Sequence, residues 1–393
     1  MRFDIGQIRT EVIRGERSFV RDMAQAAASV DVTQIFDNAR ATARDLVAVS
    51  KREDRDRFLL SGSGDSLFAA VSAAPAMRQW SGLDFRALTS IECARYELPH
   101  TADQAVMIAV SNSGGSTRTR ETAALARKLH VPSFGVVGKA DGPLAKSADT
   151  ILHRPVALNG EPPAWSPRVF LNAAEYMAGL TALYALGLHA AREAGTMTDS
   201  EVADWRERIA VVIANIGNTA EAAEPLMRGL AMSMDGARTI WVLGAGPSRG
   251  SADYSAAKFH EQVPINGVAQ DLEEWAHLQY FLTLDWGRAA IVLVLAPKGH
   301  SADRAGEMLK GIRQAGGRAV LLTDDPSLLA HNDAEAVVEM PGVSDELLSP
   351  LTFHVPAQLL ALQLAWRRKV PEIPLRRTDD YWLIRGGGMQ AGL

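Results

Sequence analysis

The sequence predicts an α/β protein in which one parallel-sheet unit is built twice. Three observations carry this expectation: short apolar runs alternate with helical stretches, the order of elements from about residue 56 to 190 recurs from about 238 to 366, and two runs lead into turns rich in glycine and hydroxyl groups. Strands separated by helices of roughly 10 to 15 residues form βαβ units, and the resulting parallel sheet is covered by helices on both faces.

In chain order, residues 1–50 form an N-terminal helical segment, with helical periodicity and few breakers over 7–50. The first repeat occupies 51–195, with apolar runs at 58–60, 106–110, 133–137 and 150–152. Its Ala/Leu-rich stretch 173–191 reads as a core helix, because Glu175 and His189 interrupt what would otherwise resemble a membrane span. A helical linker covers 196–236, and the second repeat covers 237–370 with runs at 239–243, 290–295, 318–323 and 336–339. A tail, 371–393, ends in the loose Gly386-Gly387-Gly388.

The 393 residues, 47% apolar and 22% charged, suffice for two domains with separate cores. A net charge of -5 and a pI near 6.0 provide no general attraction for nucleic acid or an anionic membrane, so a bound anion must be held locally. The single cysteine, Cys93, excludes an intramolecular disulfide, and Met1-Arg2-Phe3-Asp4 lacks the apolar core of a signal peptide, so a cytoplasmic protein is expected. No uninterrupted apolar stretch reaches the roughly 18 to 20 residues that cross a bilayer. The nine histidines show no zinc-like spacing, and neither a metal nor a cofactor is expected.

The most informative stretch is Ser111-Asn112-Ser113-Gly114-Gly115-Ser116-Thr117, directly after the buried-strand run Val106-Met107-Ile108-Ala109-Val110 and before a helix over 121–129. A strand, a hydroxyl-rich turn and a helix start aim N–H groups, hydroxyls and the positive helix end at one point, which suits a phosphate. The alternative is an ordinary Ser/Gly loop with an N-cap. Upstream, Phe58-Leu59-Leu60-Ser61-Gly62-Ser63-Gly64-Asp65-Ser66 repeats the design. The third glycine of a dinucleotide G-x-G-x-x-G is missing, since Leu67 and Phe68 follow. In the second repeat the equivalent turn is Ala296-Pro297-Lys298-Gly299-His300-Ser301, where proline removes an N–H donor, so phosphate binding of the same kind is not expected there.

These residues resemble the tandem sugar isomerase (SIS) family, which includes the isomerase half of glucosamine-fructose-6-phosphate aminotransferase. The family's Ser-x-Ser-Gly-x-Thr turn corresponds to Ser111, Ser113, Gly114 and Ser116, with Asn112 where glutamine is frequent, and its upstream Gly-x-Ser to Gly64, Asp65 and Ser66. Glu161 and Ser166 match a sugar-contacting pair. Ala257-Lys258-Phe259-His260-Glu261 resembles a helix ending in a catalytic glutamate, and Glu274-Trp275-Ala276-His277 a Glu-x-x-His loop, with Glu261 and His277 sixteen apart as in relatives. Glu339-Met340-Pro341-Gly342-Val343, Pro350 and Val355-Pro356-Ala357 resemble the closing strand and helix.

The resemblance implies two tandem SIS domains, each a parallel sheet sandwiched by helices, acting on a 6-phosphorylated amino sugar or ketosamine. A carboxylate near C1 and C2 is a suitable base, which makes Glu261 the candidate. Histidine as a residue type can both take and give a proton near neutrality, which makes His277 the candidate for opening a sugar ring. Lys258, one helical turn before Glu261, would stabilise a developing enolate. The plain alternatives are a solvated helix-end carboxylate for Glu261 and a satisfied loop imidazole for His277; Arg118 and Arg120 read as exposed helix arginines. Two departures from the aminotransferase are visible: there is no leading cysteine of a glutaminase domain, and Asp379 stands where the family has a Schiff-base lysine. Ammonia supply from glutamine is therefore not expected. Isomerisation, deamination and deglycation all remain open, and the competing class is a non-catalytic sugar-phosphate sensor, although no helix-turn-helix or basic patch accompanies it. A homodimer is expected from the apolar faces of the helical stretches 7–50 and 199–234, and in relatives the His277-type residue enters the neighbouring subunit's site.

Overall fold

Strands buried on both faces need helices on both sides, and the chain supplies them between most of its strands. The computed structural model describes residues 17–157, 167–234, 236–330, 332–343 and 345–370. Two helices, α1 (Val20–Ala28) and α2 (Val32–Glu53), precede the first sheet. The first repeat then runs β1 (Arg57–Gly62), α3 (Asp65–Ser81), β2 (Asp84–Thr89), β3 (Ala105–Ser111), α4 (Thr117–Lys128), β4 (Ser133–Val137), β5 (Thr150–His153) and α5 (Pro167–Ala194). After α6 (Asp199–Ala214) and α7 (Ile216–Ser233), the second runs β6 (Thr239–Gly244), α8 (Ser248–Gln262), β7 (Asn266–Asp271), α9 (Glu274–His277), α10 (Gln279–Trp286), β8 (Ile291–Leu295), α11 (Ala302–Gln314), β9 (Arg318–Thr323), β10 (Ala336–Glu339) and α12 (Val355–Arg367).

Each repeat makes a five-stranded, wholly parallel sheet, one in the order β2-β1-β3-β4-β5 and the other in the order β10-β9-β8-β6-β7. Read from its other edge, the second order is the first with the same connections, so the duplication read in the sequence extends to the topology. The central strands β3, β8 and β9 are buried at every residue. The edge strands β2 and β7 are missing from the sequence-based expectation in both repeats. Asp84-Phe85-Arg86-Ala87-Leu88-Thr89 and Asn266-Gly267-Val268-Ala269-Gln270-Asp271 are mostly half-buried and contain no apolar run to announce them.

The chain groups into two compact units, one built around each sheet. In the first-sheet unit, Leu59, Met107, Ala109, Val137, Leu98 and Ala123 share one buried cluster with Cys93. Burial pushes the Cys93 thiol up to about 12, which leaves it protonated and inert. In the second-sheet unit, Trp241, Leu243, Val292 and Val294 pack with Leu309 and Ile312 of α11 and with Trp275. The long helix α5 is a core helix as expected: Leu180, Leu183, Leu186 and Leu188 have no exposed surface. Among the described residues, the one helical stretch long and apolar enough to cross a bilayer is Glu346–Arg367, rather than a segment of α5, and its most apolar window is buried within the protein.

Candidate functional site

In an open parallel sheet, ligands collect at the C-terminal ends of two neighbouring strands whose connections leave in opposite directions. In the first sheet those strands are β1 and β3. The two glycine- and serine-rich turns read from the sequence spring from these two ends, so the topology brings them side by side.

The backbone of both turns explains their composition. A Cβ on Gly62 would lie 2.8 Å from the Leu67 nitrogen, so only glycine lets α3 start this close to β1. Gly64 caps α3 with φ +57° and Gly114 has φ +67°, both in the left-handed region that glycine tolerates. Ser111, at the end of β3, accepts a hydrogen bond on Oγ from the Gly114 N–H at 3.1 Å, and Ser113 Oγ accepts from the Gly115 N–H at 3.2 Å. Helix α4 starts at Thr117, one turn earlier than the run over 121–129 suggested, with Ser116 as its N-cap. Neither Gly64 nor Ser116 supplies a side-chain cap, so neither N-cap residue satisfies the first-turn amides of its helix. Two helix N-termini and the hydroxyls of Ser66, Ser113 and Ser116 thus sit at one sheet edge, a setting suited to a dianion.

Asn112 is held from behind by Gly138, whose N–H donates to the Asn112 carbonyl at 3.1 Å. A Cβ on Gly138 would fall 2.0 Å from Asn112 Oδ1 and 3.0 Å from the Asn112 carbonyl oxygen. Gly138→Ala is therefore expected to displace Asn112 and weaken phosphate-ester binding by about tenfold, roughly the worth of one charge-assisted hydrogen bond. Isothermal calorimetry measures the loss, and circular dichroism checks that the sheet is retained.

Beneath the turns lies a hydroxyl cluster that the sequence did not reveal. Ser90, buried just beyond β2, receives hydrogen bonds from Ser61 Oγ at 3.4 Å and Ser63 Oγ at 3.2 Å, and lies 2.9 Å from Thr119 Oγ1 of α4. Thr122 Oγ1 donates to the Ser90 carbonyl at 3.1 Å. The cluster ties the end of β1 to α4. Between Thr119 and Thr122 on α4, the fully buried Glu121 accepts from Arg95 Nε at 2.8 Å and also pairs with Arg118. Arg118 is thus engaged with a carboxylate of its own helix.

The second sheet repeats this architecture and fills it. Gly244-x-Gly246-x-Ser248 after β6 reproduces Gly62-x-Gly64-x-Ser66 after β1, with Gly246 at φ +53° and a Cβ on Gly244 blocked by the Ser248 carbonyl at 2.4 Å. At the neighbouring turn the Lys298 N–H donates to Asp324 Oδ1 at 2.7 Å and the His300 N–H to Glu346 Oε2 at 3.1 Å. The Glu346 carboxylate leans against Gly299, where a Cβ would be 2.1 Å from its Cδ. Pro297 removes one donor from this turn, and carboxylates of the same chain take two others.

The proposed acid–base residues lie in the second-sheet unit. Lys258 and Glu261 share one face of α8, with Lys258 Nζ 2.7 Å from Glu261 Oε2. Lys258 is 1% exposed, whereas the Glu261 side chain is 37% exposed. The ammonium also lies 4.3 Å from the Tyr254 ring centroid, and the Tyr254 hydroxyl donates to Gln358 Oε1 at 3.4 Å. His354, fully buried, meets Tyr254 edge to face. Burial first, and then the Lys258 charge, pull the His354 imidazole down to about 3, so it is neutral at any working pH. A buried lysine beside a neutral histidine donates to the carboxylate and fixes its position.

His354 makes stability pH-dependent with a definite sign. Its folded value of about 3 lies below the ordinary 6.5, so as pH falls the unfolded chain takes up this proton first. The stability is intact above about pH 6.5 and is lost progressively towards pH 3. His189, lowered chiefly by burial in the first-sheet unit, has the same sign. Denaturant titrations from pH 7 to 4 are expected to show a steeper loss for the parent chain than for His354→Gln.

His277 closes the short helix α9, which replaces the loop read from the sequence. It is 65% exposed and lies 3.5 Å from Glu273, whose carboxyl is held low first by its hydrogen bond to Arg304. Glu161, Ser166 and Asp379 lie outside the described residues. The structure therefore groups Gly64, Asp65, Ser66, Ser111, Asn112, Ser113 and Ser116 at one sheet edge and pairs Lys258 with Glu261 in the other unit.

With this geometry in hand, comparison with known proteins is informative. The family model described as "SIS domain" matches residues 53–165, which span the first sheet and its turns. The chain carries a SIS domain. Glutamine--fructose-6-phosphate aminotransferase (isomerizing) of Zymomonas mobilis is 27% identical over 314 residues, covering 79% of this chain and 49% of the relative. The chain spans about half the length of the curated relatives it matches, and it is homologous to their isomerase half. The C-terminal domain of glucosamine-fructose-6-phosphate aminotransferase from Francisella tularensis superposes with a TM-score of 0.75 at 17% identity, over 90% of this chain and 97% of that one. Tagatose-6-phosphate ketose/aldose isomerase from Escherichia coli gives 0.68 at 17% identity, over 89% and 91%. These likenesses establish the fold: two parallel sheets flanked by helices, consistent with two tandem SIS domains. The SIS turn, Ser111 to Ser116, falls inside the matched region, whereas Lys258 and Glu261 lie beyond it.

Proposed function

We propose that the chain is a cytoplasmic phosphosugar isomerase, in which the Ser111–Ser116 turn takes the phosphate and Glu261 transfers the proton. The observation that carries this reading is the contrast between the two turns that follow β3 and β8: hydroxyls line the first, whereas in the second the chain's own carboxylates take two turn amides and Pro297 removes another donor. The names of the relatives, an isomerizing aminotransferase and a ketose/aldose isomerase, support it.

Aldose–ketose interconversion moves one proton between C1 and C2 while the carbonyl and hydroxyl exchange places, so atoms and electrons balance without a cofactor. A carboxylate removes the proton beside the carbonyl and returns it to the adjacent carbon, passing through an enediolate. Lys258 holds Glu261 in place and offsets the charge that develops. His277, whose side chain is exposed, moves the proton that opens a cyclic substrate. In a deaminase or deglycase the same proton transfer precedes release of ammonia or an amine. We further propose a homodimer, supported by Val211, Met232, Leu278 and Phe281, large apolar side chains that are 42% or more exposed.

The deciding experiment incubates the purified chain with 6-phosphorylated ketoses, aldoses, amino sugars and fructosyl amino acids. Isomer formation alone supports the isomerase, while release of ammonia or amine reassigns the reaction. Binding without turnover of any member would leave a sensor. Sedimentation of the active species as a monomer would remove the dimer.

A further inference from the structure

Where the second sheet begins, a cavity of about 620 Å³ opens beside the first residues of three strands, Thr239, Ile291 and Arg318. None of its lining residues belongs to the phosphate turns or to the Lys258–Glu261 group. Its chemistry is distinctive: Trp286 forms one wall, and Arg238, Arg288 and Arg318 contribute three guanidinium groups, while no carboxylate lines it among the described residues.

The indole and two of the guanidinium groups are held in place. Trp286 stacks on the buried Trp241 with ring centroids 5.2 Å apart and planes 18° from parallel, so the indole is a fixed platform. It nevertheless remains 42% exposed. Arg318, 7% exposed, is anchored by Glu335 at 2.7 Å and by Ser233 Oγ at 2.9 Å. Arg288 reaches the same Glu335 at 3.0 Å. Burial works to raise the Glu335 carboxyl, but its bonds with Arg318 and Arg288 hold it low, so it is charged and neutralises one guanidinium. Behind the wall, Arg368 donates to the Ala237 carbonyl at 3.0 Å and so adds a fourth cation. Among the described residues, four arginines against one carboxylate leave this cavity net positive, in a chain whose overall charge is -5.

We propose that this cavity is a second binding site, for an aromatic anion of about nucleotide size. A flat ring fits an indole platform, guanidinium groups match paired oxygens of phosphate, sulfonate or carboxylate, and the volume lies within the roughly 300 to 1,000 Å³ of small-ligand sites. The inference is independent of the isomerase reading, because it uses neither phosphate turn nor Glu261.

Fluorescence titration with 1-anilinonaphthalene-8-sulfonate, a fused-ring sulfonate, tests it on the full chain. One saturable site per chain is expected, displaced by adenosine monophosphate and retained in Ser113→Ala. Trp286→Ala and Arg238→Ala are each expected to weaken binding by about tenfold, while Arg238→Lys recovers part of the loss. Both residues are exposed, and circular dichroism confirms that the variants fold. Absence of saturable binding, variant affinities within about twofold of the parent, or loss of the site in Ser113→Ala would each overturn the proposal.

Discussion

Replacing Glu261 with glutamine is expected to lower turnover of an identified sugar phosphate by roughly 10²- to 10⁴-fold with little change in substrate affinity. The amide keeps the shape of the carboxylate and its contact with Lys258 but has no lone pair basic enough to take a carbon-bound proton. The amide oxygen still accepts from the buried Lys258 ammonium but no longer offsets its charge, so some loss of stability is expected, and circular dichroism at the assay temperature checks that the variant is folded. Steady-state kinetics and calorimetry on the same preparation separate the two effects. A variant that turns over at the parent rate removes Glu261 as the base and leaves the Lys258 pair as a structural one.

The second large effect concerns the support of the phosphate turn. Glu121 is fully buried, and its charge is met by Arg95 and Arg118, which are 34% and 26% exposed. Changing both arginines to methionine would strand a buried carboxylate, a situation that costs on the order of 3 to 5 kcal/mol. The thermal transition of the first-sheet unit is expected to fall by roughly 10 °C. Glu121→Gln in the same background is expected to restore part of that loss, since it removes the stranded charge. Differential scanning calorimetry of the single, double and triple variants measures this. A double variant that melts with the parent would show that water or another group already serves Glu121.

How far the sequence anticipates this molecule depends on the range of each interaction. Strands β3, β4, β8 and β9 are buried on both faces and stand out as apolar runs; β2 and β7, at sheet edges, are written in mixed residues and recognisable only once β1 and β6 supply pairing partners. The turns after β1 and β3 were legible because glycine and serine are required locally, by a positive φ at Gly64 and Gly114 and by the close approach at Gly62. Their repetition after β6, as Gly244-x-Gly246-x-Ser248, was equally visible and was missed. Glu346 and His354 were not legible. Glu346 meets the 300 turn from 46 residues away, and His354 faces Tyr254 from another helix, so only the folded topology assigns them partners. Helix spacing alone allowed Lys258 to meet Glu261, but nothing in the sequence indicated that the lysine would be the buried partner.

The account rests on the first-sheet switch point recognising a phosphate ester. Calorimetric titration of the parent chain with a sugar 6-phosphate and with the same sugar lacking the phosphate tests this most directly. The geometry predicts that the ester binds at least about a hundredfold more tightly, with the advantage reduced in Ser113→Ala and in Gly138→Ala. Equal affinity for the two sugars, or an advantage untouched by either variant, would contradict it.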